Sequence, residues 1–145
     1  MIFHKAILAG LALAVTAPIA SAGTNAACIS VADHVHTILS SRGSVDAQTL
    51  TSLERFKAAQ EHTLDGLITQ SAAAYGIDEA ALSQQSLQER AIMKTQLAKR
   101  FGTDTLYRDN IIMLTNCAKT SNPEDLGQSP DAFAAMLASL ESELK

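Results

Sequence analysis

The chain has 145 residues, 11 basic and 15 acidic side chains, no Trp and two cysteines. That length suits one domain with its own core, and no metal is needed to fold it. The mild acidity, with no block of like charges, disfavours a nucleic-acid partner and attraction to anionic head groups.

The first 22 residues read as an export signal. Lys5 gives a positive start, Ala6 to Thr16 make a short apolar run, and Pro18 breaks it. Ala20-Ser21-Ala22 has the small-x-small order that a signal peptidase recognises. The run is too short to cross a bilayer of roughly 30 Å, which takes about 20 apolar residues. No stable membrane anchor is expected. Cleavage between Ala22 and Gly23 leaves 123 residues with 10 basic and 15 acidic groups, a net charge of −5. The expected location is the periplasm or the exterior. Lipid attachment at Cys28 is disfavoured, because Asn25-Ala26-Ala27 lacks the apolar residue such a site carries. The aromatics of the mature chain are Phe56, Tyr75, Phe101, Tyr107 and Phe133, little surface for stacking sugars or bases.

Residues 23–145 are expected to form a single all-α domain, with a bundle over 28–119 and a C-terminal helix over 130–144. Gly43, Gly76 and Gly102 stand where helices should stop, and each precedes an N-cap residue: Ser44 or Asp46, Asp78, and Thr103. The bundle helices therefore fall at about 28–42, 46–75, 78–101 and 104–119. The first carries Cys28, Val31, Ala32, Val35, Ile38 and Leu39 on one stripe. The second aligns Leu50, Leu53, Phe56, Leu64, Leu67, Ile68 and Tyr75, with Gly66 as a place for a bend. In the third, Leu82, Ile92, Met93, Leu97 and Phe101 drift around the axis. The fourth gathers Leu106, Tyr107, Ile111, Leu114, Cys117 and Ala118, with Asn110 in the stripe as a buried register-fixing residue. Ser129 and Pro130 open the fifth at its N-cap and first helical positions.

In an oxidising compartment the isolated cysteine pair reads as one disulfide, Cys28 to Cys117. Up-down-up-down topology places the start of the first helix beside the end of the fourth, where these residues lie. Helix order and cysteine positions agree independently. The crosslink closes a loop of 90 residues, and on loop entropy that is worth about 4.6 kcal/mol.

Chemistry is sparse. His34 and His36 are turned about 200° apart on a helix, and His62 falls on a polar face, so all three read as surface side chains and not metal ligands. There is no Glu-x-x-His for a di-iron site and no Cys-x-x-Cys-His for covalent haem. Met93, Met113 and Met136 read as core filler and not haem ligands. No nucleophile elbow, phosphate loop or zinc-protease motif occurs. Glu89, near an apolar face, lacks a second acid–base group, and Glu61 beside His62 cannot face it on a helix.

The expectation is an exported binding protein without enzymatic activity and without a cofactor. Its partner would be another protein, in an inhibitor, immunity, chaperone-like or envelope-assembly role. The alternative is a carrier of a small ligand, haem or metal, with its pocket inside the bundle. Phe133, Met136, Leu137, Leu140 and Leu144 form an apolar stripe beyond a polar linker over about 120–128. It either completes the core or docks into a partner or a second copy, making a homodimer.

Overall fold

The computed structural model describes residues 16–120 and 128–144, with side chains placed from residue 24 onward. Most of the export signal and the linker over 121–127 lie outside the described residues. Five α-helices follow one another: α1 Thr16–Ser40, α2 Ala47–Tyr75, α3 Glu79–Phe101, α4 Arg108–Thr120 and α5 Pro130–Ser139. A 3-10 turn, Leu140–Glu143, closes the chain. No strand occurs among the described residues. The protein is a helical bundle.

Helix ends follow the capping residues in most places. Asp46 caps α2 by accepting from the Gln48 amide at 2.9 Å. Gly76 ends that helix in the left-handed region, at φ 63°, where only glycine is unstrained. Ser129 caps α5 by accepting from the Ala132 amide at 3.1 Å, with Pro130 in the first turn. α2 runs unbroken through Gly66.

Two helix starts differ from the sequence reading. α1 begins at Thr16 and not near Cys28, with Pro18 in its first turn; the apolar run before it lies outside the described residues. A proline in the first turn gives up an amide that has no intrahelical partner anyway. α4 begins four residues late, because Thr103 caps nothing and Leu106 enters the core from irregular backbone. Asn110 instead accepts from the Tyr107 amide at 2.9 Å, half of a capping box. Asn110 is fully buried as expected, but its hydrogen bond is local to α4 and does not bridge helices.

α1 is the central helix, packing against α2, α3 and α4. The core joins its Val31, Val35, Ile38 and Leu39 to Leu53 and Phe56 of α2, Leu114 of α4 and Phe133 of α5. A smaller cluster, Ala26, Ile29, Leu64 and Ile68, fills the α1–α2 contact at the other end. α5 packs on both α4 and α2, closing that side of the bundle. Arg42 ties the closed end together. Its guanidinium donates to the Glu143 carbonyl at 2.7 Å and to the Asp104 carbonyl at 3.1 Å.

The cysteines pair as the helix order requires. Cys28 and Cys117 are disulfide-bonded with 5.6 Å between Cα atoms, joining α1 to α4. Among the described residues no helix is long and apolar enough to cross a membrane.

Candidate functional site

α5 bridges α4 and α2, but α3 and α4 scarcely touch each other. Both lean on α1, and the space between them is an apolar groove of about 750 Å³, open to solvent along its length. Its floor is Ala27, Cys28 and Val31 of α1, with the disulfide at one edge. Met93, Leu97 and Phe101 of α3 form one wall; they recur every fourth residue and so share a face. Met113 and Cys117 of α4 form the other. Thr24, Gln96, Asn116 and Arg100 supply its polar atoms.

Among the described residues Arg100 is the one charged side chain lining the groove. Its guanidinium lies over the Phe101 ring, 5.0 Å from the centroid. Phe101 in turn contacts Tyr107 and His34, with ring centroids 5.9 Å and 6.4 Å away. Arg100 meets no carboxylate among the described residues, whereas Arg42, Lys57, Arg90, Lys94 and Arg108 each do. The groove holds no nucleophile beside a base, the minimum arrangement for covalent catalysis.

A polar cluster lies on another flank of α1. The Asp33 carboxylate accepts from Lys57 at 3.1 Å and from Lys94 at 2.6 Å, binding α1 to α2 and α3. Burial would raise the Asp33 pKa, but the hydrogen bonds and charges of Lys94 and Lys57 together outweigh it and hold the carboxyl below its ordinary value. Its neighbour His34 is buried, contrary to its reading as a surface residue, because α3 covers that side of α1. Burial holds its pKa below the ordinary imidazole value, the Asp33 charge opposes this, and Lys94 adds to it. The two lysines leave this cluster with one net positive charge.

The other candidate residues are dispersed. His36 is half-buried, 3.1 Å from Glu54, and His62 is exposed. Glu89 faces solvent and accepts only from Gln85, at 3.4 Å. Ile92 is 57 % exposed, so Glu89 does not lie against a buried apolar face there. Glu61 pairs with Arg90 at 3.9 Å. Among the described residues no three His, Cys, Asp or Glu side chains could hold a metal together.

The C-terminal stripe faces inward. Phe133, Leu137 and Leu140 are core residues, and Met136 and Leu144 pack against that core. Phe133 stacks on Phe56 at 4.9 Å between centroids. Of the two roles open to the stripe, completing the core is the one these contacts fit. The groove was not read from sequence. Met93, Leu97, Phe101 and Met113 were legible as apolar, but not that α3 and α4 would leave them half-covered.

Scans against protein-family models, curated proteins and solved structures each found no match to this chain.

Proposed function

We propose that the protein is an exported, non-catalytic binding protein, and that the groove between α3 and α4 takes its ligand. One observation carries this reading: an open apolar groove of about 750 Å³ in a small bundle. Ligand sites are concave, mostly apolar, furnished with few polar groups, and of about 300–1,000 Å³. Met93 and Met113 add adaptable, polarisable walls suited to apolar ligands. This favours the small-ligand alternative over a protein partner. Leu87 and Ile92, both exposed on α3, are about 140° apart around the helix and make no docking stripe.

Export is supported by the order of Lys5, apolar run and Ala20-Ser21-Ala22, and by a disulfide that a reducing cytosol would not preserve. Protein isolated from the native envelope should begin at Gly23. Intact Met1, or lipid on Cys28, would contradict export by this signal.

The groove is tested with an uncharged naphthylamine dye that fluoresces in apolar surroundings. Saturable binding to one site is expected. Leu97→Trp and Met113→Trp should abolish it while helical circular dichroism and the disulfide persist. Absence of saturable binding to the wild type, or undiminished binding to both tryptophan variants, would remove the groove as the site.

A further inference from the structure

We propose, resting on the groove as the binding site, that its ligand is a single-chain amphiphile with a carboxylate head, held by Arg100. Among the described residues the lining has one cation and no anion, so it complements a negative or neutral ligand and repels a positive one. A guanidinium lying over an aromatic face is held there by its charge, and its planar fork of N–H donors matches a carboxylate bidentately. Without a carboxylate partner of its own among the described residues, Arg100 has that capacity unspent.

Shape selects the rest of the ligand. Arg100 and Phe101 stand at the C-terminal end of α3, and Met93 lies two turns before them on the same wall. Met93 to Phe101 spans about 12 Å of helix, the reach of a medium-length alkyl chain. Between the ends the walls are Leu97, two methionines and the disulfide, which offer a chain dispersion contacts and no hydrogen bonds. The head group therefore seats on Arg100 and the chain runs along Leu97 and Met93 toward the disulfide.

The experiment uses the mature, oxidised chain and displacement of the uncharged dye, below micelle-forming concentrations. Dodecanoate, dodecanol and dodecylamine share one chain and differ in head charge; acetate supplies the head alone. Dodecanoate should displace the dye about tenfold more tightly than dodecanol, with dodecylamine weaker still and acetate silent. Arg100→Gln should lower dodecanoate affinity about tenfold and leave dye and dodecanol unchanged, and Arg100→Lys should restore part of the loss. Methyl resonances of Met93 and Met113 should shift on binding.

Equal affinity for dodecanoate and dodecanol, with Arg100→Gln silent, would overturn the head-group assignment and leave the groove intact. Failure of the dye as well would overturn the groove and the assignment together. A dimer in solution that Leu97→Trp dissociates would make a second copy the occupant and would also overturn the amphiphile.

Discussion

Asp33 and His34 are adjacent on α1, and both resist protonation when folded, for different reasons. Asp33 is held charged by Lys94 and Lys57 against the cost of burial, whereas His34 is held neutral by burial itself. In each case the unfolded chain takes up its proton first, so stability rises with pH across the titration and falls on acidification. His34 should contribute first, as pH drops below 6.5, and Asp33 should follow as it drops below 3.8. The urea midpoint should therefore decline in two stages. His34→Gln should flatten the first stage; an unchanged first stage in that variant would assign it to another group. Asp33→Asn should flatten the second stage and cost about 1.5–3 kcal/mol at neutral pH, where its charged hydrogen bonds are lost. The burial of His34 could not be read from its helix alone. The stripe from Cys28 to Leu39 shows which face of α1 is most apolar, but not how many neighbours α1 has. With three helices packed around it, a second flank is covered as well.

At the scale of elements, what was legible depended on whether a local or a tertiary interaction decides the boundary. Asp46, Gly76 and Ser129 cap their helices through bonds to residues nearby in sequence, so the residue types suffice. Thr103 has the right type for a cap as well, yet α4 starts at Arg108, since Leu106 is drawn into the core. Burial outweighs a cap worth about 1 kcal/mol, because a fully buried leucine contributes about 1.5–3 kcal/mol. The same balance governs α5. Its apolar stripe is equally consistent with core and docking surface until its neighbours are known, and here Phe56 receives Phe133. Phe133→Ala should cost about 3–5 kcal/mol, read as a lowered denaturant midpoint. A chain ending at Asn122 lacks Phe133, Leu137 and Leu140 together and should unfold or aggregate. A truncated chain that stays folded and monomeric would show that α5 is dispensable to the core.

Over the whole molecule, the groove exists because the bundle is closed on one side and open on the other. α5 packs on both α4 and α2, whereas α3 and α4 scarcely touch and meet only through α1 and the segment between them. α4 has 13 residues against 23 in α3, so it can cover only part of that length of bundle. The Cys28–Cys117 bond, at one edge of the groove, ties α4 to α1. The disulfide thus has two separable effects. By closing a loop with a sequence separation of 89, it narrows the unfolded ensemble. That is worth up to about 4.6 kcal/mol, a large share of the 5–15 kcal/mol typical of a domain. It also anchors one groove wall to the floor, which acts in the folded state only. Replacing both cysteines by serine should lower the denaturant midpoint through the first effect. It should weaken dye binding through the second, even where the variant remains fully folded, because α4 is then held at that end by packing alone. Dye affinity measured well below the variant's unfolding temperature distinguishes the two. Unchanged affinity in a folded but destabilised variant would confine the disulfide to stability and leave the groove width to α5 and the core.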